Sequence, residues 1–114
     1  MSLSRSSGSP KFGGFKTATA TGTNTAVTIT LSATSGQRHY LGGILWSYSA
    51  DPTGGRLTST GLDGDELDLD IPIGGPGPVG LPPLQGSVGT EVTVTLAAGG
   101  SGIAGKLSVW YATF

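Results

Sequence analysis

Cysteine is absent from the 114 residues. No disulfide framework and no thiolate metal centre can hold this chain together. Charge is scarce as well, with Asp, Glu, Lys and Arg making up 11% of the sequence, and there is a single histidine, His39. Residues that favour helices never gather at helical spacing, which removes helical bundles and α/β folds. No apolar run approaches the ~18 residues of a membrane span. The opening Met1-Ser2-Leu3-Ser4-Arg5 has no apolar core of the kind a secretion signal carries.

What is present is glycine (21), proline (7), abundant threonine and a strict two-residue alternation. Residues 26–31 read Ala-Val-Thr-Ile-Thr-Leu and residues 91–96 read Glu-Val-Thr-Val-Thr-Leu. Alternation of this kind gives a strand with one face buried and one face wet. Each run is followed by a Gly-containing turn and a second strand-like run, which predicts two β-hairpins in related positions. In particular, Glu91–Leu96 is expected to pair with Lys106–Phe114 across the small-residue turn at 97–102.

The remaining segments are also short strands. Thr17–Thr23 is a polar candidate for an edge. His39–Tyr48 is the longest apolar run, with Tyr40, Ile44, Trp46 and Tyr48 expected on one face and Leu41 and Leu45 on the other. A run apolar on both faces belongs inside a sheet, between the core and a second packing surface. Gly42-Gly43 within it marks a bulge or a close backbone approach. Asp51-Pro52-Thr53-Gly54-Gly55 is a turn, because Pro sets φ at one corner and Gly admits positive φ at the next. Arg56–Thr60 and Glu66–Ile71 follow as strands, the second with Leu67, Leu69 and Ile71 inward and Glu66, Asp68 and Asp70 outward. Residues 72–86 hold five prolines, which forbid a central strand and leave a crossover or an edge segment.

Seven or eight short strands in one small all-β domain predict a two-sheet antiparallel sandwich. Its topology is either jelly-roll or immunoglobulin-like Greek key. The expected core is Val27, Ile29, Leu31, Ile44, Trp46, Leu67, Leu69, Val92, Val94, Leu96, Leu107, Val109 and Tyr111. The sandwich spans 17–114, and residues 1–16 form an extended arm. That arm carries Arg5, Lys11 and Lys16 without an acid, whereas the body sets Arg38, Arg56 and Lys106 against seven acids. An acidic body and three spaced cations do not suit nucleic acid.

Chemistry is nearly missing. His39 could pair with Asp51 and a serine, but no nucleophile-elbow sequence surrounds any Ser, so no enzyme and no cofactor are expected. Asp63, Asp65, Glu66, Asp68 and Asp70 crowd one stretch and would suit Ca²⁺. The alternation at 66–71 explains three of them as a solvated strand face, and no metal site is assigned. Trp110 falls on the strand face opposite Leu107, Val109 and Tyr111, beside Phe114. An outward Trp is a contact residue for a protein or a sugar. The candidate partner-binding residues are therefore Arg5, Lys11, Phe12, Phe15 and Lys16 of the arm, with Trp110 and Phe114 of the last strand. A surface so poor in charge resists association badly, which predicts a homo-oligomer.

Several segments carry a resemblance: Val27-Thr-Ile-Thr-Leu31, Gly36-Gln-Arg-His-Tyr40, Ser47-Tyr-Ser49, Pro52-Thr-Gly-Gly55 and Gly105-Lys-Leu-Ser-Val-Trp-Tyr111. Together they resemble small all-β virion proteins of tailed bacteriophages, of the head decoration (cement) type. The resemblance implies a non-enzymatic structural protein made in the host cytoplasm. It would bind the major capsid protein or another virion protein at the capsid surface, as a homotrimer, with neither membrane nor nucleic acid as partner. The alternative is a carbohydrate-binding module or a receptor-binding fragment of a tail fibre, with Trp110 as a stacking residue.

Overall fold

The computed structural model describes residues 15–114, without the side chains of 78–83. Arg5, Lys11 and Phe12 lie outside the described residues, as does nearly all of the expected arm. The strands are β1 (Lys16–Thr23), β2 (Val27–Leu31), β3 (His39–Tyr48), β4 (Arg56–Thr60), β5 (Asp68–Asp70), β6 (Gly77–Gln85), β7 (Val92–Leu96) and β8 (Ala104–Thr113). Among the described residues there is no helix. Two four-stranded sheets form, ordered β1-β8-β3-β6 and β2-β7-β4-β5.

The strand order has a simple origin. The chain folds back on its own middle, so that β4 pairs β5, β3 pairs β6, β2 pairs β7 and β1 pairs β8, all antiparallel. That long ribbon is rolled into two layers, which is the jelly-roll arrangement. Among the described strands only β4 and β5 are joined as a hairpin, and the other connections cross between the sheets.

Both expected hairpins are corrected by this topology: Val27–Leu31 and the run that follows it, His39–Tyr48, lie in different sheets. The segment 91–96 does not form a hairpin with 106–114, because β7 and β8 lie in different sheets. The two alternating runs are instead each other's partners, with Val27 opposite Leu96, Ile29 opposite Val94 and Leu31 opposite Val92. A Gly-rich loop serves a crossing arch as readily as a tight hairpin, so the turn chemistry alone misled. The proline-rich segment became the edge strand β6, one of the two options its prolines left open.

The core lies between the sheets. Leu41, Ile44, Leu57, Val92, Val94, Leu96, Leu107 and Val109 are at most 1% exposed. The Gly42-Gly43 pair is the bulge the sequence suggested, since the register of β3 slips between Leu41 and Gly43 against both β8 and β6. A one-residue slip exchanges faces. Leu41 before the bulge and Ile44 after it therefore both point into the core, and Tyr40 is placed on the outer face. The expected face of Tyr40, Ile44, Trp46 and Tyr48 is correct only beyond the bulge. Leu69 was expected in the core and is 42% exposed. It sits opposite Leu57 on the three-residue strand β5, the last of its sheet, where no described strand lies on its outer side. Trp46, Leu67 and Tyr111 are half-buried against the core rather than inside it.

Candidate functional site

The outer face of the first sheet carries the least ordinary surface among the described residues. Trp110 of β8 is 40% exposed, Phe114 just beyond it 55%, Phe15 just before β1 44% and Leu45 of β3 39%. Tyr40 joins them, its ring centroid 5.5 Å from that of Phe114. Alternation brings these residues together. Trp110 stands opposite Thr17 on one side and Gly43 on the other, and Tyr40 stands opposite Ala112. Directly opposed side chains share a face, so three strands contribute to one strip.

The bulge glycines form the floor of that strip. A Cβ on Gly42 would lie 2.9 Å from Cε2 of Phe15, and one on Gly43 would lie 3.7 Å from Cε3 of Trp110. The aromatic rings thus cover bare backbone in mid-strand. Ala112, on the same face, is 1% exposed. Phe15 was expected to anchor the arm in a neighbouring molecule, yet its ring lies over its own sheet. Lys16 opens β1 opposite Tyr111 and is exposed. A shallow depression continues the strip toward the far end of β8, lined by Thr19, Ala20, Thr21, Lys106, Leu107 and Ser108.

Charge is divided between the layers. None of the four strands of the aromatic sheet contains an acidic residue. The acids gather mainly around the β4–β5 hairpin and are separated there by their partners. Asp68 takes a two-pronged ion pair from Arg56 at 2.7 Å, which holds its carboxyl below the usual carboxylate range. Glu66 is exposed and accepts from the Ser59 hydroxyl at 2.9 Å and from the Leu62 N–H at 3.2 Å. Asp63 lies 4.0 Å from Arg38. Among the described residues no three groups are arranged to hold a metal ion.

His39 does not meet Asp51. They stand near opposite ends of β3, and Asp51 accepts the N–H of Gly74 at 2.9 Å. His39 is 5% exposed. Its Nε2 lies 2.7 Å from the Ser32 carbonyl, which only accepts, so that nitrogen carries a proton. Its Nδ1 lies 2.7 Å from the Thr113 hydroxyl. Both ring nitrogens are occupied in joining β3, β8 and the end of β2.

Sequence reasoning found Trp110 and Phe114 from the parity of the last strand. It missed Tyr40, because the slip at Gly42-Gly43 reverses parity and the sequence does not state its phase. Leu45 had been placed correctly on the outer face.

No family model matches the chain, and no curated protein matches it. Solved structures that resemble it include a ruminal GH26 endo-beta-1,4-mannanase, at 12% identity and a TM-score of 0.41 over 77% of this chain. This chain spans only 18% of that enzyme. A second is the CBM36-1 domain of a multidomain xylanase from the hindgut metagenome of Trinervitermes trinervoides, at 12% identity and a TM-score of 0.43, covering 82% of this chain and 73% of that one. A third is the nucleoplasmin-like N-terminal domain of Drosophila FKBP39, at 14% identity and a TM-score of 0.40, covering 86% and 87%.

Proposed function

We propose that this chain is a non-enzymatic binding domain that docks through the aromatic face of its β1-β8-β3-β6 sheet, and that it serves as a structural virion protein decorating a capsid. One observation carries the proposal: Trp110 is 40% exposed in the middle of a strip with Phe15, Tyr40, Leu45 and Phe114. Aromatic residues grouped on an open, acid-free sheet are the composition of a contact centre rather than of a solvated surface. The virion setting rests on the resemblance of the sequence and on a fold-level analogy, since jelly rolls recur in capsid proteins.

The test is co-sedimentation with particles assembled without this protein. Trp110→Ala is expected to weaken attachment at least tenfold, the scale of losing one buried anchor. Thr93→Ala, on the outer face of the other sheet, is expected to leave it unchanged. Equal loss from both variants, or from neither, overturns the reading.

A second reading is favoured by a separate observation. Thr19, Thr21, Ser108 and Lys106, which carry three hydroxyls and an amine, are among the residues lining the depression that continues the Trp110 strip. Polar groups beside an exposed indole also suit a sugar ring. Quenching of tryptophan fluorescence by soluble oligosaccharides, lost in Trp110→Ala and kept in Trp46→Phe, would select the carbohydrate-binding alternative.

A further inference from the structure

We infer that the outer edge of β1 is a self-association edge, through which two copies pair β1 to β1 about a two-fold axis and join their aromatic sheets into one continuous sheet. The contact lies at a sheet edge and is separate from the aromatic face that carries the proposed docking.

The two flanks of the sandwich are treated differently. One flank ends in β6 and β5. Strand β6 contains Pro78, Pro82 and Pro83, which have no N–H to offer, and β5 is three residues long with two acids. Prolines, shortness and charge are how sheet edges are kept from pairing. The other flank ends in β1 and β2. Strand β1 runs for eight residues, Lys-Thr-Ala-Thr-Ala-Thr-Gly-Thr, with no proline, no acid and one cation at its first position. Among the described residues no strand pairs with its outer edge.

The hydrogen-bond phase identifies the groups left over. The Asn24 N–H donates to the Ile103 carbonyl at 2.9 Å, so this position is a hydrogen-bonded pair of the β1–β8 register. Such pairs alternate. Lys16, Ala18, Ala20 and Gly22 therefore bond to β8, and Thr17, Thr19, Thr21 and Thr23 direct their N–H and C=O groups outward. Those four threonines also carry their side chains on one face.

A second copy is the occupant these features fit. The opposite flank is closed, and on the open flank β1 offers eight residues where β2 offers five, so the longest edge a second copy can present to β1 is its own β1, an isologous pairing. Directly opposed residues must share a face, so the axis passes through a residue position, and the pairing is longest when that residue is Thr19 or Ala20, at the middle of the strand. In the first register Thr17 faces Thr21 and Lys16 faces Gly22. In the second Thr19 faces Thr21 and Lys16 faces Asn24. Either way no like charges meet, and threonine meets threonine. The chain already uses that pairing on its other sheet, where the Thr28 and Thr95 hydroxyls lie 3.0 Å apart.

The test is sedimentation of the full chain at tens of micromolar, with amide exchange measured across a dilution series. A two-fold mass is expected. The amides of Thr17, Thr19, Thr21 and Thr23 are expected to exchange at least tenfold more slowly in the concentrated sample than in the dilute one. Thr19→Pro removes an outward N–H and leaves the bonds of Ala18 and Ala20 to β8, so it is expected to give a folded monomer. Trp110→Ala is expected to keep the dimer, which separates this edge from the docking face. A monomeric wild type, a trimer, or a dimer indifferent to Thr19→Pro overturns the inference. Amide protection that is the same at every concentration also overturns it, because the edge would then be covered by the chain's own residues 1–14 or by nothing. The exchange measurement needs no variant, so it decides the matter even if Thr19→Pro fails to fold.

Discussion

Single residues separate what the fold needs from what the binding face needs. Gly61 has φ of +83°, and a Cβ there would collide with the Glu91 carbonyl of the backbone. Neither the backbone nor the left-handed conformation can yield to a side chain. Gly61→Ala is expected to destabilise the protein by more than about 1 kcal/mol, read as a lowered midpoint in denaturant. Gly42 is a different case, because a Cβ there meets only the ring of Phe15, a half-exposed side chain that can swing away. Gly42→Ala should therefore cost little stability and should disturb the aromatic strip, seen as weaker partner binding. Tyr48 adds a pH dependence. Its hydroxyl donates to the Ala97 carbonyl at 2.6 Å, and burial raises its pKa above the usual tyrosine value. The folded state then favours the protonated phenol. That stability is complete below the unfolded pKa of about 10 and is lost as the pH rises through the folded one. Thermal midpoints should fall more steeply above pH 10 in the wild type than in Tyr48→Phe, which should itself cost about 1 kcal/mol at neutral pH.

At the scale of elements, much of the fold was legible and the strand partners were not. Alternation at Val27–Leu31, Val92–Leu96 and Leu107–Val109 marks strands with one buried face, and each of those apolar residues is buried. Prolines 78, 82 and 83 kept their segment from the middle of a sheet. Pairing is a different kind of information. Alternation reports which face is buried within one strand and nothing about its neighbour, so Val27–Leu31 and Val92–Leu96, far apart in the chain, gave no sign that they pair. The Gly42-Gly43 bulge was visible as a place but not as a phase. Its phase decides that Leu41 and Ile44 share the core and that Tyr40 joins Phe114 outside. Deleting Gly43 would restore regular alternation and turn either Leu41 or Ile44 outward. Either outcome removes a large buried side chain, a loss of about 2–5 kcal/mol, and the deletion is expected to leave little folded protein by circular dichroism.

Across the whole molecule the two layers have different surfaces. The aromatic sheet holds no acid on its strands and exposes Phe15, Leu45, Trp110 and Phe114. The other sheet presents threonines opposed in register, Thr28 with Thr95 and Thr30 with Thr93, and the ion pair of Arg56 with Asp68. A hydroxyl-covered face with exposed ion pairs is well solvated and gains little from being covered. An aromatic face gains from every partner that excludes water from it. The central claim is that the aromatic face is the one that docks. Hydroxyl-radical footprinting of the protein, free and bound to particles assembled without it, tests this most directly. Binding is expected to protect Trp110, Phe15 and Phe114 from oxidation, while half-buried Trp46 serves as the internal reference and changes little. Unchanged labelling of Trp110 and Phe114 in the bound protein would contradict the account.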